Sequence, residues 1–185
     1  MNIVDLQRKN RLILLAITCV FLVPLLTAVV LRQSNWQPQK TRNSGTLVVP
    51  PRDITATAMT LANGSKLAWH DPEFRWTLLA LPGTQCGAEC RMRLDEALRM
   101  RLTLGHNAER LRVLYLGPSL PVDFVTARAP LQAGRDDAGA FAVERARGED
   151  ALALVLIDPN GLLMLRYADG YSAQGLRSDI VRVIY

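Results

Sequence analysis

The segment RWTLLALPGTQCGAECR, residues 75–91, joins a short apolar run to an amphipathic pattern through a turn that carries two cysteines. The run 76–81 has the length of a buried strand, and a Pro-Gly pair ends it. After the turn, apolar residues recur every three or four positions, which is the period of a helix. Cys86 and Cys90 therefore lie where a strand passes into a helix, and the unpaired N–H groups and helix dipole there favour a thiolate.

The two thiols are not equivalent in this helix. The predicted apolar stripe consists of Cys90, Leu94, Ala97, Leu98, Leu102 and Leu104. Cys90 continues the stripe and is predicted to be recessed, whereas Cys86 lies at or before the helix cap and is predicted to be exposed. Glu89 is placed to reach back to the backbone as in a capping box, and Arg91 and Arg93 add positive charge that favours a thiolate. An accessible attacking cysteine, Cys86, and a recessed resolving cysteine, Cys90, are what disulfide exchange requires.

The start of the chain has the pattern of a membrane anchor. An uncharged run of twenty residues from Leu12 to Leu31 follows a basic cluster. At ~1.5 Å rise per residue such a helix covers the ~30 Å hydrocarbon core. A cleaved signal peptide is the alternative, but no small-residue cleavage site follows the run. We predict an uncleaved single-pass anchor in a bacterial inner membrane, with the main domain in the periplasm.

The order of elements predicts the fold class. Apolar runs indicate strands at 111–116, 151–157 and 162–167, and the last two are joined by the turn sequence Asp-Pro-Asn-Gly. Ser172 is placed to cap a final helix that carries Leu176, Ile180 and Val183 on one face. Strand, helix, strand, connection, hairpin and helix is the order of a thioredoxin-like α/β sandwich, here with one N-terminal transmembrane helix.

The predicted organisation has four parts. They are a cytoplasmic tail of residues 1–11, a transmembrane anchor of residues 12–31, a polar tether of residues 32–54 and a thioredoxin-like domain of residues 55–185. The formal net charge is +5, but basic and acidic residues alternate along the domain and the chain carries an anchor, so a nucleic-acid partner is not expected. Cys19 lies in the apolar run, which leaves Cys86 and Cys90 as a disulfide staple, a redox pair or a metal site.

The strand, the turn with Cys86-x-x-x-Cys90, the helix and the late strand that runs into Ile157-Asp-Pro-Asn-Gly161 resemble the Sco family. Sco proteins are membrane-tethered, thioredoxin-fold proteins that help to assemble the copper centre of cytochrome c oxidase. The resemblance covers residues 55–185 and extends to the anchor and tether. It implies that Cys86 and Cys90 are the catalytic and metal-binding residues, through disulfide exchange or transient Cu(I) binding. The implied partner is the oxidase subunit that carries the copper site, or another assembly factor.

The chain departs from the Sco pattern at one ligand. Sco proteins bind copper through both cysteines and a histidine, and Asp150 stands at the corresponding place here. A carboxylate is a hard ligand that is poorly matched to Cu(I). His70 and His106 are predicted to be distant from the cysteines, and Met92 is more typical of packing than of ligation. The alternative function is therefore a redox-inactive binding or scaffold module of a membrane complex.

Overall fold

The apolar run near the start of the chain lies within one long helix, α1 (Ile3–Gln33). The computed structural model describes residues 3–34, 42–128, 130–136 and 138–184, and the chain divides into two units, Met1–Arg42 and Asn43–Tyr185. The stretch Arg8–Gln33 is exposed, and it is long and apolar enough to span a membrane. The helix begins at Ile3, so it includes most of the segment that was predicted to be a tail.

In the second unit, the described residues form one mixed sheet of seven strands. The strands are β1 (Thr46–Asp53), β2 (Thr60–Leu61), β3 (Trp76–Pro82), β4 (Leu111–Leu116), β5 (Gln132–Arg135), β6 (Leu152–Ile157) and β7 (Leu162–Tyr167). Their order across the sheet is β1-β7-β6-β3-β4-β5-β2. Strand β3 pairs in parallel with β4 and antiparallel with β6. Such a mixed sheet agrees with the predicted α/β class.

The two faces of the sheet are covered by different kinds of structure. The helices of this unit are α2 (Ala88–Leu102), a 3-10 helix (Gly105–Arg110), α3 (Val122–Thr126) and α4 (Ala173–Ile184). Helices α2 and α4 contribute Leu94, Leu98, Leu176 and Ile180 to the core on one face. The core on the other face is completed by side chains from irregular segments, namely Ile54, Met59, Trp69 and Phe141.

Most of the predicted elements are present, because each has a local pattern. Strands β3, β4, β6 and β7 are confirmed within one residue of the predicted positions, and helices α2 and α4 are confirmed, although α2 ends at Leu102. The Ser172 cap is also confirmed, since its Oγ accepts a hydrogen bond from the Gly175 N–H at 3.3 Å. The prediction that Leu102 belongs to the buried stripe is wrong. Leu102 is the last residue of α2 and is 67% exposed, whereas Leu104 beyond the helix is buried.

The predicted tether ends earlier than its composition indicated. Residues 46–53, within the predicted tether of 32–54, form the edge strand β1, which pairs antiparallel with β7. Pro50 and Pro51 lie in the part of β1 where the register shifts between Leu47 and Arg52. Proline is tolerated there because an edge strand needs hydrogen bonds on only one side. Residues 35–41 of the predicted tether lie outside the described residues.

Candidate functional site

The two cysteines lie between the end of β3 and the first turn of α2, and they form a disulfide. Their Cα atoms are 5.0 Å apart. Cys90 is fully buried in the core beneath α2, whereas Cys86 is half-buried and packs against the edge of that core. The structure thus brings the two predicted site residues together, with one sulfur more accessible than the other.

The cysteine loop is held by a second segment, Gly148–Ala151, which precedes β6. Two backbone hydrogen bonds join them, from the Gly83 N–H to the Ala151 carbonyl and from the Gln85 N–H to the Glu149 carbonyl, both at 3.0 Å. The approach is so close that a Cβ on Gly83 would lie 1.9 Å from the Gly148 carbonyl oxygen. Glycine at position 83 is therefore required by the contact between the two segments.

Asp150 caps helix α2 from this second segment. Its carboxylate accepts hydrogen bonds from the backbone N–H groups of Gly87 at 2.6 Å and of Glu89 and Cys90 at 3.1 Å. Helices begin with N–H groups that have no partner within the helix, and carboxylates are effective acceptors for them. The prediction that Glu89 closes a capping box is wrong, because Asp150 takes that role and the Glu89 side chain is exposed and lies 3.9 Å from Arg93 Nε.

The Asp150 carboxyl group is more acidic than an ordinary aspartate. Partial desolvation raises its pKa, but the hydrogen bonds from the three N–H groups and the charge of Arg91 outweigh that effect, so its net pKa is lowered. Arg91 also contacts the loop, since its guanidinium donates to the Cys86 carbonyl at 3.3 Å. Arg93, in contrast, pairs with Glu96 at 3.2 Å. Of the two arginines that were expected near the thiols, only Arg91 bonds to the cysteine loop.

The position expected for a third Cu(I) ligand carries a hard oxygen donor. The described residues contain no group of three or more His, Cys, Asp or Glu side chains that would hold a metal ion. Asp150, at the place of the expected third ligand, is directed at the helix N–H groups and is a hard oxygen donor. His70 and His106 are exposed surface residues, and Met92 is 58% exposed rather than packed.

Sequence reasoning identified the position of Asp150 but not what its side chain does. The relevant signals are a carboxylate immediately before a buried strand and a glycine, Gly87, at the N-cap position, which has no side chain with which to cap. Those signals become informative only when the two segments are known to be neighbours. The sequence separation between Gly87 and Asp150 is 63 residues.

Several solved structures share this fold. Yeast Sco1 with copper bound is 14% identical, with a TM-score of 0.54, and the match covers 78% of this chain and 94% of that one. A Chlorobium tepidum protein assigned as the thiol:disulfide interchange protein DsbE is 17% identical, with a TM-score of 0.51 and coverages of 76% and 97%. The bacterioferritin comigratory protein of Xanthomonas campestris is 11% identical, with a TM-score of 0.50 and coverages of 76% and 97%.

Identities this low establish the fold alone, and proteins of three different kinds share it. The Sco resemblance is therefore supported only as a thioredoxin-like fold. A search of curated proteins gave no match. The family model of the transmembrane-like, thioredoxin-like, C-terminal domain matches residues 76–184, from the start of β3 to the end of α4 and including both cysteines and Asp150. The chain belongs to this family of transmembrane-like, thioredoxin-like domains.

Proposed function

We propose that this chain is a membrane-anchored, periplasmic accessory protein of cytochrome c oxidase assembly that exchanges disulfides through Cys86 and Cys90. The observation that carries the proposal is the Cys86–Cys90 disulfide at the start of α2, with Cys86 half-buried and Cys90 buried. Disulfide exchange uses an attacking cysteine whose sulfur is accessible to the partner protein and a resolving cysteine whose sulfur is buried behind it.

The geometry favours a protein partner. Neither cysteine lines the cavity of about 610 Å³ beside β4 and β5, and Cys86 is the member of the pair that is partly exposed. Strand β1 runs antiparallel to β3, because β1, β7, β6 and β3 each pair antiparallel with the next. Strand β1 therefore begins at the edge of the sheet where β3 ends and the cysteines lie. The proposed partner is the oxidase subunit that carries the copper site.

A trapping experiment tests the exchange. The full chain in detergent, with Cys19 replaced by serine, carries either Cys90→Ser or Cys86→Ser and is mixed with an oxidised cysteine-containing peptide from an oxidase copper site. The Cys90→Ser protein is expected to accumulate a mixed disulfide through Cys86, detectable by mass spectrometry, and the Cys86→Ser protein is expected to form at least tenfold less. Equal trapping by both variants, or none by either, would contradict the proposal.

The proposal covers disulfide exchange and does not extend to carriage of Cu(I). Two thiolates remain after reduction, but Asp150 occupies the place of a third ligand and its oxygens are committed to N–H groups. Reduced protein is accordingly expected to lose Cu(I) to a competing chelator. Retention of one Cu(I) per chain under that competition, lost in Cys86→Ser, would show that copper binding belongs to the function.

A second candidate function is a scaffold that has kept the fold without the chemistry. The observation that favours it is again Asp150, whose carboxylate takes the N–H groups that stabilise a thiolate in reactive thioredoxin-like sites. A scaffold would bind the oxidase subunit equally well when both cysteines are replaced by serine. A disulfide-exchange protein would lose its covalent complex in the same variant.

A further inference from the structure

The Asp150 carboxylate occupies the positions that a thiolate would otherwise use. Cys86 immediately precedes Gly87, and the N–H groups of Gly87, Glu89 and Cys90 all point to Asp150 Oδ1 or Oδ2. In a reactive cysteine at a helix start, such donors lower the pKa of the thiol because they stabilise its anion. Here they already serve an anion that belongs to the protein.

The position of Asp150 is fixed by the fold rather than by a single side-chain rotamer. The backbone on its two sides is bonded to the cysteine loop, through Glu149 to Gln85 and through Ala151 to Gly83. Gly87 leaves the space that the carboxylate occupies, since a Cβ there would lie 2.6 Å from Asp150 Oδ2. The carboxylate therefore remains beside the cysteines as long as the two segments stay paired.

Other charged groups near the cysteines do not neutralise the Asp150 carboxylate. Arg91 lies close and donates to the Cys86 carbonyl, but it also stabilises the charged form of Asp150. Glu89 on α2 is a second, exposed carboxylate in the same turn, and Glu149 accepts a hydrogen bond from the Gln85 side chain at 2.5 Å. Glu89 lies 3.9 Å from Arg93 and Glu149 is bonded to Gln85, whereas the Asp150 carboxylate is bonded to the N–H groups next to Cys86 and at Cys90, so Asp150 is the charge that most directly disfavours a thiolate there.

We propose that Asp150 is a positioning residue that makes the Cys86–Cys90 pair a reductant: it stabilises the disulfide relative to the dithiol, so that the reduced pair gives its electrons to a partner disulfide. This inference rests on the proposed exchange function. It adds that electrons pass from the Cys86–Cys90 pair to the partner and that the substrate is a disulfide. The physical basis is that a disulfide becomes a strong oxidant when its reduced, thiolate form is stabilised. Asp150 takes the N–H donors and adds negative charge, so it destabilises the thiolate form and makes the pair more reducing.

The reaction balances as a transfer of two electrons. The Cys86 thiolate attacks one sulfur of the partner disulfide and forms a mixed disulfide, while the other partner sulfur leaves as a thiolate and takes a proton from water. Cys90 then loses its proton and attacks the Cys86 sulfur. This step restores the Cys86–Cys90 disulfide and releases the second partner thiol. A dithiol electron donor returns the pair to its reduced form by the reverse sequence.

The test uses the full chain with Asp150→Asn, which keeps an oxygen acceptor for the N–H groups but removes the charge. The equilibrium with dithiothreitol is measured by alkylation of the thiols, and the pKa of Cys86 is measured from the pH dependence of its alkylation rate in a Cys90→Ser background. At a pH above the pKa of Cys86 in both proteins, Asp150→Asn is expected to move the equilibrium about tenfold towards the dithiol, which corresponds to about 30 mV. The pKa of Cys86 is expected to fall by about one unit.

Two further variants make the result decisive. Glu149→Gln removes a neighbouring carboxylate and is expected to change the equilibrium less than twofold. Asp150→Ser supplies a short neutral cap, and it replaces Asp150→Asn if the latter does not fold. Folded variants of Asp150 with an equilibrium within twofold of the wild type would overturn the inference. Because dithiothreitol needs no partner protein, this failure is distinguishable from a failure of the trapping experiment.

Discussion

Gly87 and Asp150 form a single structural unit, in which the absence of a side chain on one residue gives room for the carboxylate of the other. The Gly87 N–H donates to Asp150 Oδ1 at 2.6 Å, and a Cβ on Gly87 would lie 2.9 Å from the Asp150 carboxyl carbon. Glycine is needed here for space, since any Cβ would meet the carboxylate.

Gly87→Ala is expected to displace the Asp150 carboxylate from the start of α2. The variant should show a lower Tm than the wild type by about 4 °C, because the helix loses its cap. In an Asp150→Ala background the same substitution meets no carboxylate and should change Tm by less than about 1 °C. Thermal unfolding of the two single variants and the double variant measures the coupling. Additive effects would show that the two residues act independently.

Features of this chain that depend on neighbouring residues could be predicted from the sequence, whereas features that depend on contacts between distant segments could not. Strand β3, helix α2 and the hairpin of β6 and β7 have local signals, namely apolar runs, a helical period and an Asp-Pro-Asn-Gly turn. Strand β1 has no such signal, because its two prolines and polar flanks resemble a tether, and only pairing with β7 makes it a strand. The same holds for the Asp150 cap, which depends on two segments that are far apart in sequence.

The pH dependence of stability should reveal the Asp150 cap. Since the folded-state pKa of Asp150 is lowered, its contribution to stability is present above the unfolded-state pKa of about 3.9 and is lost as the pH falls through the folded-state value. The difference in Tm between wild type and Asp150→Asn is therefore expected to be constant from pH 7 to pH 5 and to shrink below about pH 4. A difference that stays the same at pH 3 would contradict this assignment.

Replacing Cys86 or Cys90 by alanine should lower the free energy of unfolding by different amounts. Both substitutions break the disulfide, but only Cys90 is fully buried, among Leu94 and other core residues beneath α2. Cys90→Ala should therefore lower the free energy of unfolding by about 1 kcal/mol more than Cys86→Ala, because it also leaves a small cavity. Urea unfolding of the two variants measures this difference. Equal values would mean that the core closes around the missing sulfur.

Asp179 links the start of β1 to helix α4. Its buried carboxylate accepts hydrogen bonds from the backbone N–H groups of Ser44 at 2.8 Å and Gly45 at 2.9 Å, and from the Tyr167 hydroxyl at 3.2 Å. Burial raises the pKa of Tyr167, and the charge of Asp179 raises it further, so the tyrosine remains a neutral donor. One carboxylate thus fixes Ser44 and Gly45, which immediately precede β1, to helix α4.

Asp179→Ala is expected to lower the free energy of unfolding by about 3 kcal/mol, because it leaves buried donors without an acceptor. Amide hydrogen exchange at Ser44 and Gly45 should become faster, whereas the amides of β3, which lie in the centre of the sheet, should keep their relative protection. Asp169→Ala removes an exposed aspartate and serves as the control, with an expected change below about 0.5 kcal/mol. If exchange at Ser44 and Gly45 is unchanged in Asp179→Ala, the carboxylate does not hold the start of β1.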